Sequence, residues 1–164
     1  DSIPFNGRNV LDSDDFIRTP CVPRSLTVVG AGVIGLEYAT IFSALDVPVT
    51  LIEPRATMLD FMDREIVDHL IHLMRERGMA IRLQGEVADI QFGPNGDPVC
   101  HLADGRRVSS EIVLFTAGRV GATAELNLQS CGLPVDSRGR LTVDPVSATG
   151  RAWDTGMRAL ATES

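Results

Sequence analysis

The chain has 164 residues, 44% hydrophobic and 23% charged, with a net charge of −7. Those values suit one folded domain with a sizeable core and argue against a nucleic-acid or anionic-membrane surface. No apolar run approaches a membrane span, and the start, Asp1-Ser2-Ile3-Pro4, lacks a signal-peptide pattern, so a soluble, cytoplasmic protein is expected. Cys21, Cys100 and Cys131 lie far apart with no C-x-x-C, which predicts reduced thiols and neither a zinc site nor a local redox pair.

Residues 1–24 hold Pro4, Pro20, Pro23 and the turn pair Asn6-Gly7 without a sustained period. They read as a connecting segment, and so long an unpatterned lead suggests a piece of a larger protein. An unbroken apolar run follows, Leu26-Thr27-Val28-Val29, as in a parallel strand covered on both faces. It ends in Gly30-Ala31-Gly32-Val33-Ile34-Gly35, a G-x-G-x-x-G, after which Leu36, Ala39, Thr40, Phe42 and Ser43 continue with helical spacing. A second apolar run, Val47 to Ile52, stops at Glu53. The order is strand, tight turn, helix, strand, acid.

Each position in that order has a mechanical reason. Gly30 lets the chain turn out of the strand, Gly32 lets the backbone approach a pyrophosphate, and Gly35 lets the helix lie close to the strand. The anion would sit at the helix N-terminus, where unpaired N–H groups and the helix dipole replace a basic side chain. Glu53 can accept hydrogen bonds from the adenosine ribose hydroxyls. The combination predicts a dinucleotide site; a turn that merely packs helix on sheet would leave Glu53 unexplained.

Further along, Asp63 to Arg77 reads as a helix with Ile66, Val67, Leu70, Ile71 and Met74 on one face, acids at its start, and Arg75 and Arg77 before Gly78. Ala80 to Gln84 is a third parallel strand. Val87 to Phe92, Pro98 to Leu102 and Arg107 to Ser109, joined by Pro94-Asn95-Gly96 and Asp104-Gly105, predict an antiparallel meander. Glu111 to Thr116 is again a continuous apolar strand running into Ala117-Gly118-Arg119, at the sheet edge where ligands bind in such folds. The expected architecture is α/β: a Rossmann-like, three-layer parallel sheet with helices and an inserted three-stranded antiparallel meander. Residues 25–121 would form the NAD(P)-binding domain, and 122–145 a loop-rich continuation with a short helix near Ala124 to Ser130 and a strand near Leu141. Residues 146–164, with Trp153 and no periodicity, are expected to be a loosely ordered tail. His69 and His72 have a metal-compatible spacing, but no third ligand accompanies them and a solvated helix face is the simpler reading.

The strand, Gly30-Ala31-Gly32-Val33-Ile34-Gly35-Leu36-Glu37, the acid, the meander and then Thr116-Ala117-Gly118-Arg119 resemble the nicotinamide-binding domain of the pyridine nucleotide-disulfide oxidoreductase flavoproteins. The likeness covers about residues 2–145. Val113 to Arg119, Leu126-Asn127-Leu128 and Gly132-Leu133-Pro134-Val135-Asp136 are most similar to the soluble pyridine nucleotide transhydrogenase branch. The resemblance implies that Gly30 through Glu37 bind the cofactor, with Glu37 near the nicotinamide end. It further implies that Glu53 holds the ribose, that Val87 packs near the adenine, and that Gly118 lies against the nucleotide. Core packing explains Val87 equally well, and Arg119 is equally a domain-joining residue. The family also has an N-terminal FAD domain and a C-terminal dimerisation domain. Neither is recognisable here, and the final residues depart from the family pattern, so a truncated product or isolated domain is expected.

In the family, hydride passes between the nicotinamide and FAD, and the full-length form is expected to be a homo-oligomer. No Ser-His-Asp or Cys-His set suggests another reaction. Glu53 would repel a 2′-phosphate and so favours NAD(H), whereas Arg55 can grip that phosphate of NADP(H) if Glu53 swings away. The pair is compatible with a transhydrogenase. A dihydrolipoamide dehydrogenase-like or mercuric reductase-like domain, an inert binding-only remnant and an S-adenosylmethionine-dependent methyltransferase are the alternatives. The chain is expected to bind without turnover.

Overall fold

The computed structural model describes residues 3–116, 118 and 121–142. The chain divides into two units, Asp1–Gly118 and Arg119–Ser164, taken separately below.

In the first unit, five parallel strands pair in the order β1-β8-β2-β3-β4. They are β1 (Val10–Asp12), β2 (Leu26–Val29), β3 (Val49–Glu53), β4 (Ala80–Leu83) and β8 (Ile112–Phe115). All residues of β2 and β8 are buried, as their unbroken apolar composition demands. Alternation along these strands sends Leu26, Val28, Leu51 and Leu114 into one core and Val29, Ile52, Val113 and Phe115 into the other. The first core is covered by α1 (Ser13–Phe16), α2 (Val33–Ala44) and α3 (Arg64–Glu76). The second is covered by an antiparallel sheet of β5 (Val87–Phe92), β6 (Pro98–Leu102) and β7 (Arg107–Ser109), which contributes Ile90, Cys100, Leu102 and Val108. Helices, parallel sheet and meander are therefore the three layers, and this is the expected Rossmann-like class.

Two details differ from the pattern read in the sequence. Within the stretch taken as a connecting segment, Val10–Asp12 pairs in parallel with Val113–Phe115 as an edge strand, and Phe16 packs edge-to-face on Tyr38 and at a tilt on Phe42. A three-residue strand and a four-residue helix are too short to show a period. On α3, Val67 and Met74 are buried and Leu70 and Ile71 partly so, but Ile66, assigned to the same apolar face, is exposed.

In the second unit, Ala124–Leu126 and Leu128–Cys131 are two 3-10 turns rather than one short helix. The strand expected near Leu141 is a single antiparallel bridge to Val135. Asp136 organises that bridge, accepting from the backbone N–H groups of Arg138 and Arg140 and from Arg140 Nε. Asp1, Ser2, Ala117, Arg119, Val120 and residues 143–164, including the expected tail with Trp153, lie outside the described residues.

Candidate functional site

The carboxyl ends of β2, β3 and β8 lie side by side, with Val29 level with both Ile52 and Phe115. The residue after β2 is Gly30, whose φ of +107° is open to glycine and strained for other residues. Its N–H donates to the Ile52 carbonyl at 2.8 Å. Thr116, just past β8, closes the turn from the other side. Its N–H donates to the Val29 carbonyl at 2.8 Å, and its hydroxyl donates to the carbonyls of Val29 (3.2 Å) and Gly30 (2.9 Å). The glycine turn is thus pinned between two neighbouring strands.

Its glycines meet different demands. A Cβ on Gly35 would collide with the Gly30 carbonyl and the Thr116 hydroxyl, and one on Gly30 would lie 2.8 Å from the Thr116 carbonyl oxygen, so both are required by packing. A Cβ on Gly32 meets nothing within 4 Å, and its φ of −76° and ψ of −178° suit any residue. Nothing in the fold asks for glycine at 32. The space beside its Cα is open to solvent. Gly32 is also the N-cap of α2, which no side chain caps and no acid precedes in its first turn, so the helix presents its N-terminal N–H groups there. The neighbouring Val33 and Ile34 are exposed.

Glu53 closes the site from the end of β3 with only 3% of its surface exposed. Its Oε2 accepts from the Ala31 N–H (2.7 Å) and Arg55 Nη2 (3.2 Å), and its Oε1 accepts from Arg55 N–H (3.0 Å) and Arg55 Nε (2.8 Å). Burial pushes the carboxyl upward, but these hydrogen bonds and the guanidinium charge outweigh it and hold Glu53 below its ordinary value of 4.5. In turn, the Glu53 partnership raises Arg55. Arg55 is half exposed and also lies 3.7 Å from Asp60. Glu53 is the buried member of the pair, held also by the Ala31 backbone, and Arg55 is the exposed one. Ala31 is buried and serves through its N–H.

The structure brings together Gly30, Ala31, Gly32, Val33, Ile34, Gly35, Glu53 and Arg55, with Gly118 two residues beyond Thr116 at φ +111°. Glu37 lies one turn into α2 and is exposed. Val87 opens β5 half-buried and packs on the second core. Sequence reasoning missed Thr116 and Asp60. A threonine at the end of an apolar strand and an aspartate in a loop carry no local signal of a clamp or an ion pair. On α3, His69 and His72 are exposed, and His72 lies 3.3 Å from Glu76. Among the described residues, no three ligating side chains are grouped to hold a metal ion, and no helix is long and apolar enough to cross a membrane.

The parallel sheet, its covering helices and the pinned glycine turn define a Rossmann-like α/β domain. The chain belongs to the pyridine nucleotide-disulphide oxidoreductase family, which it matches over residues 3–153. It is 43% identical over 142 residues to the soluble pyridine nucleotide transhydrogenase of Mycobacterium bovis, and 41% identical over 142 residues to that of Pseudomonas aeruginosa. In both cases the match covers 87% of this chain and 30% of the relative. Among solved structures, LpdA of Mycobacterium tuberculosis superposes with a TM-score of 0.81 at 30% identity, covering 91% of this chain and 32% of that one. The HOCl-induced flavoprotein disulfide reductase RclA of Escherichia coli gives 0.77 at 30% identity, covering 87% and 32%. This chain therefore spans about a third of its relatives' length. Its family membership sets aside the methyltransferase alternative.

Proposed function

We propose that this chain is the nicotinamide dinucleotide-binding module of an FAD-dependent oxidoreductase of the soluble transhydrogenase type. In the whole enzyme, the bound nicotinamide would supply hydride exchange with FAD, carrying it between NADH and NADP+. Within this chain, Gly32 admits the pyrophosphate, the α2 N-terminus with Val33 and Ile34 cradles it, and Glu53 receives the ribose. Glu37 lies toward the nicotinamide end, Val87 toward the adenine, and Gly118 against the nucleotide. Arg55 takes the 2′-phosphate when NADP(H) is bound.

The single observation that carries this reading is the glycine at position 32, which the fold does not require and a pyrophosphate does. Arg55 beside Glu53 favours a protein that accepts both nucleotides over an NAD-only dehydrogenase. Binding, rather than turnover, is the property to be tested in this chain, which spans 30% of the relatives it matches. Titration with NADH and NADPH, followed by nicotinamide fluorescence and calorimetry, tests the reading beside Glu53→Ala. NADH is expected to bind, and Glu53→Ala to weaken it while easing NADPH. Failure of either nucleotide to bind the folded chain would reduce the glycine turn to a packing device.

A further inference from the structure

A carboxylate offers about four acceptor positions on its two oxygens. On Glu53 all four are taken: two by the fixed backbone N–H groups of Ala31 and Arg55, and two by the Arg55 side chain. A ribose diol needs at least one of them. The backbone donors are part of the turns that define the site, and Glu53 itself is buried. The guanidinium is the only one of these groups free to leave. Its side chain is 50% exposed, and its third nitrogen, Nη1, already faces Asp60, itself 66% exposed, at 3.7 Å. Asp60 also borders an open cavity of about 230 Å³ with Thr57 and Met62 on its wall, so the loop is not packed shut against such a shift.

We propose that Arg55 is a built-in competitor for the ribose on Glu53, with Asp60 as its alternative partner, and that this exchange sets the balance between NAD(H) and NADP(H). The inference rests on the reading that Glu53 receives the ribose, and deepens it. For NAD(H), Arg55 leaves Glu53 and settles on Asp60, freeing two acceptor positions for the diol. For NADP(H), Arg55 stays between Glu53 and the incoming 2′-phosphate, screening one anion from the other while donating to both. One arginine thus opposes the first nucleotide and recruits the second. Asp60 acts as a positioning residue, drawing Arg55 off the carboxylate.

Calorimetric titration of the 164-residue chain with NADH and NADPH tests the exchange, using Arg55→Gln, Asp60→Asn and Glu53→Gln. Arg55→Gln is expected to tighten NADH about threefold, the scale of a partly exposed ion pair, and to weaken NADPH about tenfold or more through loss of a charge-assisted phosphate contact. Asp60→Asn is expected to weaken NADH about twofold and tighten NADPH about twofold. Simple removal of a negative charge near an anionic ligand would instead tighten both, so the opposite signs are the diagnostic readout. Asp60 is exposed, which keeps the test available if Arg55→Gln fails to fold. NADH affinity that Arg55→Gln leaves unchanged or lowers, or that Asp60→Asn raises, overturns the exchange while Glu53→Gln still reports on the ribose site. Absence of NADH binding, or binding indifferent to Glu53→Gln, overturns the reading beneath it and the exchange together.

Discussion

Replacing Gly32 by alanine probes the ligand's demand separately from the demand of the fold. The new methyl group meets no protein atom within 4 Å, and the backbone at φ −76° is one that alanine adopts freely. Two small effects on stability oppose each other. Alanine is a poorer N-cap than glycine, a cost of about 0.5–1 kcal/mol. It also restricts the unfolded chain, a gain of about 0.4–1 kcal/mol. The melting temperature should therefore move by no more than roughly 3 °C. At Gly35 the same methyl collides with the Gly30 carbonyl and the Thr116 hydroxyl. Neither can retreat without breaking the turn, so Gly35→Ala should cost about 2 kcal/mol and lower the melting temperature by roughly 4–10 °C. Binding should follow a different order. In the Gly32→Ala variant the methyl group would stand in the proposed pyrophosphate site, and NADH affinity should fall at least tenfold, about 1.4 kcal/mol. Circular dichroism melts with NADH fluorescence titration provide both readouts. A Gly32→Ala protein that binds NADH as the parent does refutes the pyrophosphate placement, and one that melts as low as Gly35→Ala refutes the claim that the fold is indifferent to this position.

Other expectations concern the frame around the site. Thr116→Val removes the hydroxyl bonds to the Val29 and Gly30 carbonyls and should lower stability by about 1 kcal/mol in urea titration; unchanged stability would mean the hydroxyl does not clamp the turn. Thr27 is fully buried, and its hydroxyl has no partner among the described residues, so Thr27→Val should raise the urea midpoint, by about 1 kcal/mol in stability. Because Glu53 is held below its ordinary value of 4.5, the native state binds fewer protons than the unfolded one. The stability it contributes is complete above that value and is lost as pH falls through the lower folded-state value. Glu53→Gln should accordingly flatten the acid limb of the stability profile, and an unchanged limb would rule Glu53 out as its source. Burial pushes the Cys100 thiol up to about 11, whereas Cys21 is exposed. A thiol reagent should label Cys21 in the native protein and Cys100 only after unfolding.

Much of this protein is written locally. The buried strands announced themselves because a strand covered on both faces must be apolar throughout, as Leu26–Val29 and Ile112–Phe115 are. The glycine spacing and the acid closing β3 were legible because each answers a constraint a few residues wide. The edge strand Val10–Asp12 was not, since three residues show no period and its pairing lies about a hundred residues away on β8. The spacing assigned each glycine its part, but only the tertiary structure shows what the packing glycines meet, because the Thr116 carbonyl and hydroxyl come from a strand some eighty residues away. The tertiary structure also decided which member of the Glu53–Arg55 pair is buried. Sequence places the two charges two residues apart and shows neither the Ala31 N–H that holds the carboxylate nor the Asp60 carboxylate that shares the guanidinium. Partners contributed by other turns set the burial of each charge, and those partners exist only once the strands are aligned.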